Sequence, residues 1–193
     1  MVNLTARTQL LQPLAEARAV IDEGLEDALS LLRADRGNVQ IVDPATGSLR
    51  IAAEAGFSDE FLEYFAVVDE DSGSACAMAA QQHAQTVISD VNADPRYAPH
   101  REIAAASGYR AVQSTPLVDV HGHLLGMLST HYPRPYRPPE KDLEVMKRLG
   151  QLMGQAIESC LEADGQDGSL HLEELFARRA SGRPEANGQV HAA

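Results

Sequence analysis

The chain has 193 residues, 44% apolar and 23% charged, with a formal net charge of −12. Affinity for nucleic acid comes largely from Lys and Arg neutralising phosphates. With Lys141 and Lys147 as its only lysines and its arginines scattered, the sequence argues against DNA, RNA and anionic membrane surfaces as partners.

The first predicted element is a helix over Thr8–Arg33. Leu10, Leu14, Ala17, Ile21, Leu25, Ala28 and Leu32 recur at intervals of three and four and form one apolar stripe. A hairpin follows. Val39 and Ile41, then Leu49, Ile51 and Ala53, alternate with polar residues such as Gln40, Arg50 and Glu54 around the turn Asp43-Pro-Ala-Thr-Gly47. A short helix is expected over Ser58–Phe65, with Ser58 as its N-cap. The stretch from Val67 to Gly108 is less regular. It holds a small-residue helix at Ser74–Gln82, a short strand at Thr86–Ser89, a proline-bearing loop at 90–99, and a helix from His100 to Ser107 ended by Gly108.

Two strands, Tyr109–Val120 and His123–Tyr132, flank a turn at His121-Gly122. Small residues on them (Ala111, Ser114, Gly126, Ser129) either leave room against the sheet or let backbones pack closely. A final long helix is expected over Pro139–Ala163, with the stripe Leu143, Met146, Leu149, Met153, Ala156, Ile157 and Cys160. From Asp164 the sequence turns polar and Gly-rich. A short helix is predicted at Leu170–Arg179, and residues 181–193 read as disordered. Strands joined by short turns favour an antiparallel sheet, and helices at both ends are expected to share one face. Cys76 and Cys160 lie far apart and form no metal-binding spacing. No signal peptide or bilayer-length apolar run is legible, so a reducing cytoplasm is the expected compartment.

In this order and spacing the sequence resembles a GAF domain. The residues that carry the resemblance run from about Leu14 to Ala163: Gly37-Asn-Val-Gln-Ile-Val-Asp43, Gly47-Ser-Leu-Arg-Ile-Ala-Ala53, Ala55-Gly56-Phe57, Ser72-Gly-Ser-Ala-Cys76, Thr86-Val-Ile-Ser-Asp-Val91, Asp94-Pro95, Gly108-Tyr-Arg-Ala-Val-Gln-Ser-Thr-Pro-Leu117 and Gly122-His-Leu-Leu-Gly-Met-Leu-Ser-Thr130. The resemblance implies an α+β fold: a six-stranded antiparallel sheet, terminal helices on one face, and a helix-and-loop lid over a small-molecule pocket on the other. Residues 1–13 would then be an N-terminal extension forming part of the first helix, 14–163 the GAF domain, and 164–193 a polar tail with a short helix, largely disordered. It further implies a sensory or regulatory role, a homodimer through the terminal helices, and a signalling partner such as a kinase or transcription regulator on a separate chain or beyond this one.

Candidate site residues follow from that expected pocket. Cys76 is either a reactive thiol for a redox or covalent role or a small buried packing residue. His83, His100 and His131 are candidates for a haem ligand, against ordinary hydrogen-bonded histidines. Asp90, Asp94, Arg96 and Arg101 form a polar cluster that either contacts a ligand or makes turn and surface ion pairs. Asn92-Ala93 departs from the Asn-Lys pattern of cyclic-nucleotide-binding relatives. Tyr109, Gln113, Ser114, Thr115, Ser129 and Thr130 sit on the central strands, and alternation allows only half of them to face the pocket. No phosphate loop, His-Glu-x-x-His or Gly-x-Ser-x-Gly is present, which favours a binding module over an enzyme. A methionine sulfoxide reductase of this fold would use several cysteines at the pocket, where only Cys76 is expected. The ligand and any cofactor are not legible.

Overall fold

A computed structural model describes residues 4–163 and 175–176. The elements in chain order are α1 (Leu4–Leu32), β1 (Arg36–Val42), β2 (Leu49–Ala55), α2 (Asp59–Tyr64), β3 (Val67–Val68), α3 (Ala75–Gln82), β4 (Thr86–Ile88), α4 (Arg101–Ala106), β5 (Ala111–Val118), β6 (Leu124–Tyr132) and α5 (Glu140–Ala163). The six strands form one antiparallel sheet in the order β3-β2-β1-β6-β5-β4. This is the expected α+β architecture. Pairing of β6 with β1 joins the two hairpins into one sheet.

Local chemistry explains most boundaries. Asp43 Oδ1 accepts from the Ala45 amide at 2.9 Å, and Gly47 takes φ +75° to finish the first hairpin turn. Ser58 and Ser74 are the N-caps of α2 and α3, accepting from the Phe61 and Ala77 amides. Gly108 takes φ +70° after α4, as a residue ending a helix in the left-handed region does. The predicted loop at 90–99 is partly a 3-10 helix, Pro95–His100, opened by Asp94. The two-residue β3 was not anticipated from sequence because it is too short to show a period.

One face of the sheet is covered by α1 and α5. Ala17, Ile21, Leu25, Ala28 and Leu32 of α1, and Met146, Met153 and Ile157 of α5, are buried against Val39, Ile41, Ala111, Leu117, Leu128 and Tyr132. The helices come very near the strands. A Cβ on Gly154 would lie 2.1 Å from the Val118 carbonyl oxygen, and one on Gly150 would lie 2.6 Å from that of Pro116. Glycine is required there by proximity, since no side chain fits between α5 and β5.

The sheet contains an irregularity that overturns part of the predicted hairpin alternation. Gln40 pairs with Ile51 and Val39 with Ala53, so Ala52 is an extra residue in β2. Such a bulge shifts the facing of the residues beyond it. Leu49 and Ile51 therefore pack on the lid side, whereas Ala53 packs under the helices. Gly126 resolves the choice left open for the small residues: its missing Cβ would lie 2.2 Å from the Gln40 carbonyl oxygen, so it serves close backbone approach.

Among the described residues no helix is long and apolar enough to cross a membrane. Of the predicted Leu170–Arg179 helix, Leu175 and Phe176 are helical, and Leu175 is buried with the α1–α5 core. The rest of that helix, residues 181–193 and the side chains of Leu10, Leu14 and Cys160 lie outside the described residues.

Candidate functional site

The opposite face of the sheet is roofed by α2, α3 and the 3-10 segment at Pro95–His100. The composition of α3 determines how near it lies. Ala75, Cys76, Ala77 and Ala79 are all small and buried. They meet Ser114 and Ser129, a cross-strand pair on β5 and β6. Cys76 Sγ lies 3.2 Å from Ser129 Oγ and 3.7 Å from Ser114 Oγ, and the two serine oxygens are 2.8 Å apart. Burial pushes the Cys76 thiol above its ordinary pKa, and the serine hydrogen bonds only partly offset this.

Beside this contact is a cavity of about 20 Å³. That is space for one water, for which roughly 10–15 Å³ is enough. Asn38 and Gln40 of β1 and His131 of β6 line it from the sheet; Phe61, Phe65, Cys76 and Tyr97 line it from the lid. Asn38, Gln40 and His131 are 3%, 1% and 4% exposed. Asn38 Oδ1, Gln40 Oε1 and His131 Nδ1 have no hydrogen-bond partner. An unpaired buried polar atom costs about 1–3 kcal/mol, so three around one cavity are unusual unless something else satisfies them.

Among the described residues no ionised group lines the cavity. Burial lowers the His131 pKa to about 3, with a smaller contribution from Arg36, so the imidazole is neutral near pH 7. Its ring is held edge-on by Tyr109, with ring centres 4.7 Å apart, and by Phe57 at 4.9 Å. The Tyr97 and Tyr109 hydroxyls bond each other at 3.0 Å, and burial raises both pKa values.

Five of the residues proposed from sequence therefore gather at this face. Cys76 and His131 line the cavity, Ser114 and Ser129 back Cys76, and Tyr109 backs His131. The others lie elsewhere. Gln113 is on the helix side of β5, bonded to Thr115 and accepting from Thr130 Oγ1 at 3.2 Å. Gln85 completes that network, donating to Thr115 Oγ1 and to the Leu143 carbonyl, both at 2.9 Å. Asp90, Asp94 and Arg101 organise the loop after β4. Asp90 is held by Arg110 at 2.7 Å, and Asp94 by Arg96 at 2.6 Å. Arg101 donates to the Val91 and Asp94 carbonyls at 3.1 and 3.0 Å. Its fork is occupied by backbone and does not reach the cavity lining.

The three histidines considered together do not converge. His83 caps the end of α3 at φ 48° and is exposed. His100 donates from Nε2 to the Ser72 carbonyl at 2.7 Å and meets the Tyr64 hydroxyl at Nδ1. A cavity of about 20 Å³ beside His131 has no room for a macrocycle.

The residues missed by sequence reasoning are Asn38 and Gln40. Their alternation with Val39 and Ile41 marks one side of the strand as polar, but alternation alone does not say whether that side meets water or a lid.

A GAF domain family model matches residues 16–157. No curated protein matches the sequence. Among solved structures, the GAF domain of an Acinetobacter phosphoenolpyruvate-protein phosphotransferase is 13% identical with a TM-score of 0.62, over 82% of this chain and 95% of that one. The blue-light absorbing form of the Thermosynechococcus elongatus PixJ GAF domain is 18% identical with a TM-score of 0.60, over 92% and 96%. A type II free methionine-R-sulfoxide reductase from Thermoplasma acidophilum is 14% identical with a TM-score of 0.63, over 76% and 96%. At such identities these three establish a shared fold, and their differing roles show how little the fold alone says about function. With the family model covering most of the chain and the sheet order, terminal helices and lid all in place, the chain belongs to the GAF domain family.

Proposed function

We propose that this GAF domain is a cytoplasmic sensory or regulatory module that holds one small uncharged molecule between α3 and the sheet and passes its state to a separate output through α1 and α5. The observation that carries the reading is the set of unpartnered atoms on Asn38, Gln40 and His131 around one small cavity. Their chemistry sets the ligand class. Among the described residues the lining offers two amides, a neutral imidazole and aromatic walls, with no carboxylate, lysine or arginine. An ionised ligand would lose its hydration without gaining a counter-charge, which costs several kcal/mol. A ligand larger than water requires α2 and α3 to move outward, away from the Ser114–Ser129 pair that Cys76 meets.

Binding rather than catalysis is supported by Cys76 itself. A buried thiol with a raised pKa, bonded to two serines, is a poor nucleophile. Native mass spectrometry of the protein from its own cells, with an absorbance spectrum, tests the reading. A retained uncharged molecule is expected, lost when Asn38→Leu and Gln40→Leu are combined. An empty wild-type protein whose melting temperature no uncharged metabolite raises would overturn it.

A second reading, a dimerising interaction module, is favoured by the outer side of the terminal helices. Leu31, Val145 and Leu152 are 42%, 46% and 64% exposed there. With Leu149 they line a groove of about 460 Å³ between α1 and α5. The two readings are compatible if the helix pair carries the signal. Sedimentation of wild type and Leu152→Asp tests it: a dimer converted to monomer is expected, and a wild-type monomer at high concentration would end it.

A further inference from the structure

The β2 bulge is occupied by an unexpected part of the chain. Ala52, the extra residue, is left out of the β1–β2 register, and its carbonyl accepts from Arg18 Nη1 at 2.8 Å. The same nitrogen donates to the Leu175 carbonyl at 3.0 Å. Arg18 is steadied by Asp22, one helical turn on, which accepts from Nε at 3.0 Å. The Leu175 side chain is 2% exposed and joins the apolar cluster that contains Ala17, Ile21 and Ala53. Next to it the Phe176 ring lies under the Arg50 guanidinium, 4.0 Å from its carbon to the ring centre.

We propose that Arg18, Arg50 and the Ala52 bulge form a docking site for a short peptide segment with adjacent leucine and aromatic side chains, and that Leu175–Phe176 is its exchangeable resident. The site has the parts of a peptide-recognition surface. Arg18 reads a main-chain carbonyl, which any sequence offers; the apolar cluster selects leucine; Arg50 selects an aromatic face. Among the described residues the contact is made by the Leu175 and Phe176 side chains and the Leu175 carbonyl. Because this segment belongs to the same chain as its site, its rebinding is intramolecular, and a weak contact stays closed until a competing segment displaces it. Docking also ties α1 to the sequence beyond α5, so release changes the restraint on both terminal helices. The partner implied is a protein segment of the same leucine–aromatic chemistry. This inference is independent of the cavity on the other face.

The test uses the full chain and a fluorescein-labelled peptide with the sequence of residues 170–180. In the variant carrying Leu175→Asp and Phe176→Asp the site is vacated, and saturable peptide binding is expected. Wild type, with its own segment in place, should bind roughly tenfold more weakly or less. Adding Arg18→Ala to the vacated variant should weaken binding several-fold. Amide exchange on the wild-type chain gives a second readout: Leu175 and Phe176 should open well before α5 and β5. No binding to the vacated variant, equal binding to wild type, loss of cooperative unfolding in the variant, or exchange of 175–176 only with global unfolding would each overturn the proposal and make Leu175 a fixed core residue.

Discussion

The two faces of this sheet are built from the same strands but solve different problems. Under α1 and α5 the packing is largely apolar, glycines let α5 touch β5, and the polar Gln113, Thr115, Thr130 and Gln85 bond one another. Under α3 the strands present Asn38, Gln40 and His131 with atoms unpaired. Among the described residues the polar groups of that helix-face network are paired, and the lid face has kept some unpaired. A face optimised for stability has no reason to retain such atoms, so the contrast marks where binding is expected.

The contrast can be broken or sharpened by substitution. The largest effect is expected on the helix face. Gly154→Val drives a side chain into the Val118 carbonyl, and a loss of about 3 kcal/mol or more is expected by urea denaturation. Met153→Ala, which leaves a void beside Gly24, should cost about 2–5 kcal/mol. An unchanged midpoint in either would mean that this face is loosely packed.

The next effect is a pH dependence. His131 has its folded pKa lowered to about 3 by burial. Its stabilising contribution is full above the ordinary histidine range and is lost as pH falls toward about 3, because the unfolded chain takes up a proton that the folded one does not. The slope across that window approaches about 1.4 kcal/mol per pH unit. His100, also lowered by burial, adds in the same direction. His131→Phe should flatten the profile relative to wild type. Equal slopes would place the titration elsewhere.

On the lid face a polar-to-apolar change should have the opposite sign to the helix-face losses. Gln40→Met removes the unpaired Oε1 at similar size, and a gain of about 1 kcal/mol is expected in ligand-free protein, together with loss of any retained molecule. Destabilisation instead would show that Gln40 is satisfied and would weaken the functional reading. The smallest effect belongs to the outer loop. Arg96 pairs with Asp94 but is largely exposed, so Arg96→Ala should shift stability by no more than about 0.5 kcal/mol. A larger loss would make that loop a structural part of the lid.

Much of the fold was legible because it is written in short-range patterns. The α1 stripe from Ala17 to Leu32 and the α5 stripe through Met146 and Ile157 are buried as their spacing predicts. Ser58, Ser74 and Gly108 act at helix ends as their side chains, or the lack of one, require. At the site, Cys76, His131, Ser114, Ser129 and Tyr109 were legible through the family resemblance. Asn38 and Gln40 were not, because a polar residue alternating along a strand looks the same whether it faces water or a lid. Asp90, Asp94 and Arg101 were drawn toward the pocket by their charge, yet turn geometry and backbone carbonyls already occupy them.

The sequence alone therefore determined the order of elements apart from the two-residue β3 and the 3-10 segment, most caps and turns, the apolar faces of both terminal helices and the family. Each of these depends on residues a few positions apart. Tertiary structure alone decided that one extra residue at Ala52 shifts the facing of β2, that Gln113 turns to the helices while Ser114 turns to Cys76, that three polar atoms share one cavity, and that Leu175 returns to Arg18. Each of these depends on which distant segment lies opposite, and a periodic pattern carries no information about its partner.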